Sequence, residues 1–411
     1  MKRLFPVLVS VLCLLPLVAS AEVASWPEFR GPTGDGKAAG NIPLVIDDSV
    51  VKWKVDIHGK GWSSPVVWDD QIWLTTATED GKQMFVVCVD RQSGKIVHDK
   101  LLISSEEPDF CHPMNSYATP TPVIENGRVY VHFGSYGTFC LNTKTADTIW
   151  KRDDLPCNHH RGPASSPILH EGNLFVAYDG FDQQYVVALD KQNGTTIWKQ
   201  KRDIDYGTDN GDLKKAYCTA SIINVNGQQQ LVYPSAIATI AYNPNNGDSL
   251  WRVYHKGMNA SARPLYASGL VFITNGMGSM VAVDPNGSGD LTSTQIAWSS
   301  RKGVAKKSSQ LAIDGLLYMI SDDGIASCRD CKSGKVIWLE RLKGSFAASP
   351  IYASGRIYLF DRDGKITVIK PGRKFELLSQ SKLGDGFMAS PAVVENEVIL
   401  RSKTRLYCVA Q

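Results

Sequence analysis

One short pattern recurs through this chain and restricts its fold more than any other feature. In Tyr185 to Trp198, YVVALDKQNGTTIW, an apolar strand runs into a polar turn and then a second strand ending on Trp198. Asp190 suits the start of the turn, where a carboxylate accepts backbone N–H bonds. Gly194 suits a position needing φ > 0. With Asp or Asn at position 0, a small residue at +4 and a bulky one at +8, the series reads Asp90/Gly94/His98, Asn142/Ala146/Trp150, Asp190/Gly194/Trp198, Asn243/Gly247/Trp251 and Asp330/Gly334/Trp338. A looser copy joins Asp284 to Trp298 across a Gly/Ser/Thr-rich insertion, and another runs from Lys370-Pro371-Gly372 to Phe375. A lone hairpin is marginal in water. Repeats of roughly 40–50 residues with four short strands each specify an all-β propeller.

Each module opens on small residues: Ser63-Ser64-Pro65, Thr119-Pro120-Thr121-Pro122, Ser165-Ser166-Pro167, Thr219-Ala220-Ser221, Ala262-Arg263-Pro264, Ser308-Ser309-Gln310, Ala348-Ser349-Pro350 and Ala389-Ser390-Pro391. Innermost strands crowd a central channel, which favours small side chains, and Pro is tolerated on an edge without a partner. The last module stops at its third strand, Arg405 to Val409. Its fourth is supplied from the other end of the chain by Val51-Lys52-Trp53-Lys54-Val55, which closes the ring. Eight four-stranded antiparallel blades are expected over residues 50–411, with seven as the alternative.

The first 21 residues, MKRLFPVLVSVLCLLPLVASA, have a basic start, a short apolar run broken by Pro16 and an A-x-A-type end at Ala19-Ser20-Ala21. This predicts a cleaved signal peptide and an exported protein, periplasmic or secreted. Leu12-Cys13 is a poor lipidation site. No later segment is long and apolar enough to span a bilayer. The formal charge is +3 and falls to +1 without Lys2 and Arg3, so nothing suggests nucleic acid as partner. Residues 22–49 include WPEFRGPTGDG and are too rich in Gly and Pro for a regular element; Trp26 and Phe29 are expected to pack this segment across the outside or one face.

The hairpin copies, Ala188-Leu189-Asp190 through Trp198 above all, resemble the repeats of the pyrroloquinoline-quinone-like (PQQ-like) propeller family. That family holds both quinoprotein dehydrogenases and non-catalytic scaffolds of the BamB type, and blade count and size are closer to the scaffolds. Dehydrogenases of the family typically carry a vicinal Cys-Cys pair and a Ca²⁺-binding Glu, Asn and Asp set. This chain has no adjacent cysteines, and the acidic set matches no motif here. The resemblance therefore implies a scaffold without a required cofactor, with PQQ or a divalent metal left open.

Long loops on a rigid frame are where binding residues concentrate. Here they join fourth to first strands: 104–117, 153–164, 203–217 and 254–261. Candidate ligand-binding residues on that face are His112, Tyr117, His159, His160, Arg161, Asp179, Asp182 and Lys215. Imidazoles with carboxylates could hold Zn or Cu; the alternatives are a polar pocket or a structural cluster stapled by a Cys111–Cys157 disulfide. Basic clusters stand at Lys214-Lys215 and at Arg301 to Lys307. Cys88, Cys140, Cys328 and Cys408 recur on third strands and read as small buried hydrophobes. Cys328 and Cys331 form a C-x-x-C, but Lys332 stands where haem attachment needs His. The expected function is a monomeric exported scaffold presenting its long-loop face to a protein partner of the cell envelope or a polar ligand. A quinone- or metal-dependent oxidoreductase is the alternative. A carbohydrate-binding propeller, suggested by Trp62, Tyr117, Phe181 and Tyr206, is a third.

Overall fold

The computed structural model describes residues 23–411; the signal-peptide reading of residues 1–21 lies outside them. The chain forms eight four-stranded antiparallel blades around a channel, as the repeat spacing requires. The prototype blade comprises Ile168–His170, Asn173–Asp179, Gln184–Asp190 and Thr196–Lys201. Blade 8 joins Ala392–Val394, Glu397–Arg401 and Arg405–Ala410 to Val51–Asp56, so the predicted closure is formed by antiparallel pairing of the two ends. Closure leaves no free outer edge between first and last blades. Among the described residues no helix is long and apolar enough to cross a membrane.

The repeat residues connect blades to one another. Each turn is drawn in by its own position-0 side chain, as where Asp190 Oδ1 accepts from Gln192 N at 2.7 Å. The tryptophan of one blade then seats on the turn of the next. Trp150 Nε1 donates to Lys191 O (3.0 Å), Trp198 Nε1 to Pro244 O (3.0 Å), Trp298 Nε1 to Cys331 O (2.9 Å) and Trp53 Nε1 to Arg91 O (2.7 Å). Gly194 needs φ 75° and also abuts that ring: a Cβ there would lie 2.7 Å from Trp150 Cε3. Gly94, Gly247 and Gly334 meet Trp53, Trp198 and Trp298 in the same way. The alanine of the series, Ala146 (φ 57°), follows the blade whose bulky residue is His98.

The small opening residues carry a second ring of contacts at the channel. Each hydroxyl accepts the backbone N–H of the preceding blade: Ser64 N to Thr121 Oγ1, Thr121 N to Ser166 Oγ and Ser166 N to Thr219 Oγ1, at 2.9–3.1 Å. Arg263 N to Ser309 Oγ, Ser309 N to Ser349 Oγ, Ser349 N to Ser390 Oγ and Ser390 N to Ser64 Oγ continue it, at 2.9–3.1 Å. These buried amides would otherwise lack partners. Blade 5 breaks the ring by placing Arg263 where its neighbours have Ser or Thr.

Arg263 instead holds the N-terminal segment, which was expected across the outside or one face and runs along the inner strands. Ser25–Trp26 pairs with Val66–Trp68 on the channel side of blade 1. Pro27 O accepts from Ile124 N of blade 2, and Gly36 and Ala38 bond Tyr352 of blade 7. Arg263 donates to Phe29 O and pairs with Glu28 at 2.7 Å. Arg30 donates to Pro350 O and Gln310 O from a fully buried position. Trp26 is buried where Gly31 lies against its ring. The segment leaves by the turn side of blade 7, buries Ile42 and Ile46 in the core, and enters Val51–Asp56. The inner edges of blades 1, 2 and 7 therefore do have partners, and the channel is stopped from within.

Candidate functional site

On the long-loop side the channel forms a cavity of about 420 Å³, within the usual range for small-molecule sites. Phe29 of the inner segment, half-buried, lines it. The fourth-to-first loops of all eight blades reach its wall. Trp62, Met114, Tyr217 and Met388 supply apolar surface; Asn115, Asn259 and the channel hydroxyls supply polar atoms; His112, Arg161, Lys306 and Lys307 supply donors and charge. Among the described residues the wall contains no Asp or Glu.

The structure sorts the predicted residues into three groups. His112 and Arg161 line the cavity. His112 Nδ1 accepts from Met114 N at 3.1 Å, which leaves Nε2 to carry the proton. Its pKa is lowered, first by burial and then by Arg161, Lys215 and Lys60. Arg161 Nη2 meets Asp212 at 2.7 Å, and Lys215, fully buried behind it, pairs with the same carboxylate. Burial lowers the Lys215 pKa and Asp212 opposes that.

Tyr117, His159 and Asp179 belong to the frame. Tyr117 is buried and donates to Asp109 O at 2.6 Å. His159 Nε2 accepts from Ser135 N at 3.1 Å with its ring over Tyr178, and burial pushes its pKa down to about 4. Asp179 forms a buried bidentate pair with Arg202, at 2.8 and 2.5 Å. Arg202 also donates to Tyr233 O and Pro234 O.

His160 and Asp182 sit at the rim. Asp182 accepts from Asn158 N and Gln183 N. His160 (φ 56°) stands between Phe110 and Phe181, at centroid distances of 6.0 and 5.1 Å. Gly211, two residues before Leu213, lies against the Phe181 ring. Phe110, Phe181 and Leu213 are 58%, 39% and 37% exposed. The four loops that carry these residues also contain the acidic Glu106, Glu107, Asp109, Asp182, Asp205 and Asp209 and the basic Arg161, Lys214 and Lys215.

The histidines thus face three directions: cavity, loop interior and rim. No group of three His, Cys, Asp or Glu side chains is placed to hold a metal among the described residues. The expected Cys111–Cys157 disulfide is not formed. Cys111 Sγ turns to Arg161 O (3.7 Å), while Cys157 Sγ lies between His159 Nδ1 of its own loop and Gln183 O of the next (both 3.9 Å). Every cysteine from Cys88 onward is a free thiol, and burial raises those on third strands, Cys140 and Cys328 to about 11 and Cys88 and Cys408 to about 12. Without a wall carboxylate or a cysteine pair, the residues present do not fit a quinone held together with a divalent cation. The aromatic residues of the carbohydrate reading do not share a surface: Trp62 lines the cavity, Phe181 is at the rim, and Tyr206 is tied to Ser235 of a neighbouring loop.

The basic run ending in Lys306-Lys307 reads from sequence as a long-face loop, either solvated or open to acidic glycans or a partner's acidic strip; the structure places Lys306 and Lys307 in the cavity wall. The missed cavity residues, Met114, Asn115, Asn259 and Met388, carry no local signal, because only ring closure brings them together.

This architecture defines a PQQ-like repeat propeller. The sequence profile of outer membrane protein assembly factor BamB matches residues 47–213, 86–340 and 290–374, and the chain belongs to that family. It is 23% identical over 304 residues to BamB of Moranella endobia, covering 69% of this chain and 72% of that protein. It is 22% identical over 264 residues to the tetrathionate hydrolase of Acidithiobacillus ferrooxidans; the match covers 59% of this chain and only half (50%) of that enzyme. Among solved structures, a europium-containing methanol dehydrogenase superposes with a TM-score of 0.75 at 11% identity, over 94% of this chain and 98% of that one. BamB of Moraxella catarrhalis gives 0.61 at 11% identity, over 88% and 99%. At such identities these structures share the fold.

Proposed function

We propose that this chain is an exported binding scaffold that docks a protein of the cell envelope on its long-loop face. The observation that carries this is the row of Phe110, His160 and Phe181, with both phenylalanines exposed, on loops that carry several acidic residues. Contiguous exposed apolar surface on an otherwise polar loop face marks interaction sites, and aromatic anchors dominate interface energies. Acidic side chains on those loops favour a partner segment that is apolar and basic. The signal-like N-terminus supports export, and the name of the BamB relatives supports an assembly role.

Photo-cross-linking in the native host tests the reading. A photoreactive residue at position 110 or 181 should trap one discrete envelope protein, and one at the exposed outer-strand positions 149 or 197 should not. Phe110→Ser with Phe181→Ser should abolish co-purification of that protein. Adducts equal at all four positions, or at none, overturn the docking role.

A further inference from the structure

The cavity raises a separate question, because the phenylalanine row accounts for none of its chemistry. Arg161, Lys306 and Lys307 converge on a wall without carboxylates, and the acids that compensate them lie behind it: Asp212 pairs with Arg161 and Asp322 with Lys307. Lys306 makes no ion pair among the described residues. More positive charge stands close by. Lys60 Nζ lies 5.5 Å over the Trp62 ring and donates to Pro113 O. Arg362 Nη2 contacts Met114 Sδ at 3.3 Å, and Lys403 Nζ donates to Arg362 O. None of these three faces a carboxylate in those contacts. The lowered pKa of His112, caused after burial by Arg161, Lys215 and Lys60, reports the same positive field. Charge of one sign in a low-dielectric concave wall concentrates counter-ions.

The remainder of the wall limits what such an anion looks like. Trp62, Met114, Met388 and Phe29 offer apolar faces on several sides. The channel hydroxyls are already engaged as acceptors between blades, so they have their own protons left to donate. A donor-rich, acceptor-poor, partly apolar cavity of this volume suits a compact molecule with more than one anionic group. We propose that it binds a small organic anion, bearing carboxylate or phosphate groups, whose charge meets Lys306, Lys307 and Arg161 while its body packs on Trp62, Met114 and Met388.

Isothermal titration of the mature chain with citrate and with glucose 6-phosphate, against glucose as neutral control, tests this. Saturable heat is expected for at least one anion and none for glucose. Lys306→Ala should weaken that binding roughly tenfold, the scale of one charge-assisted hydrogen bond, with an unchanged melting temperature because Lys306 supports no ion pair. Lys199→Ala, on an outer strand, should leave binding intact. No saturable heat for either anion, equal heat from glucose, or equal effects of Lys306→Ala and Lys199→Ala would overturn the proposal. Phe110→Ser with Phe181→Ser should not alter the titration, so failure here and failure of docking at that row are separable.

Discussion

Acidification should destabilise the fold through buried imidazoles, and the loss at His132 and His159 can be worked out from the structure. His132 is buried against Thr138 Oγ1 (2.8 Å) and edge-on to Tyr178 (5.4 Å); its pKa is pushed down to about 3, by burial and then by His159. His159, at about 4, can accept from Ser135 N only while Nε2 is unprotonated. In the unfolded chain both return to about 6.5. The folded state therefore binds fewer protons, and stability is full above pH 6.5 and falls as pH drops below it. At pH 5 each site costs about 2 kcal/mol and the pair about 4 kcal/mol, a large fraction of the 5–15 kcal/mol typical of domains. Urea midpoints by tryptophan fluorescence at fixed ionic strength measure it. His159→Gln should be about 1–2 kcal/mol less stable than wild type at pH 7, through the orphaned Ser135 amide. It should recover about 2 kcal/mol of that difference at pH 5, because Gln takes no proton. If the variant loses as much stability as wild type between pH 7 and 5, or if the His159 ring signal titrates near 6.5, the argument is wrong.

Other perturbations probe the ring and its inner segment. Arg263→Met strands Glu28, whose pKa burial already raises; a loss of about 3–5 kcal/mol is expected. That loss should be greater at pH 8 than at pH 5, where the carboxyl can stay protonated, and Glu28→Gln should restore most of it in thermal melts. Gly194→Ala combines a positive φ with a Cβ 2.7 Å from Trp150, for about 2–4 kcal/mol; the equivalent swap at Ala146, Ala146→Gly, should cost under about 1 kcal/mol in the same melts. Ser349→Ala removes the acceptor of Ser309 N and should cost about 1–2 kcal/mol in denaturant titrations. Protein purified from its native host should show no quinone absorbance and no stoichiometric metal by elemental analysis; either one would replace the scaffold reading with an oxidoreductase.

Much of this architecture was legible locally. Asp190, Gly194 and Trp198 declare a turn, and their spacing counts blades without reference to anything distant. The closing strand could be read too, since Val51 to Val55 supplies the strand that the last module lacks. Candidate residues fared less evenly. The loops around Cys111 and Cys157 look alike in sequence, yet Cys111 faces Arg161 O while Cys157 faces His159 and Gln183 O, so likeness of motif did not bring the thiols together. Asp179 looked like a free loop carboxylate, but its strand buries it on Arg202.

By itself, then, the sequence determined the all-β repeat, the blade count and the closure, because strand alternation and turn chemistry act over a few neighbouring residues. The tertiary structure alone decided the rest. A closed ring brings Arg263 to Glu28, Arg30 to Pro350, and Lys306 to the far wall from Trp62 and His112. Those contacts join residues far apart in the chain and leave no periodic trace. They decide what fills the channel and where the positive cavity lies.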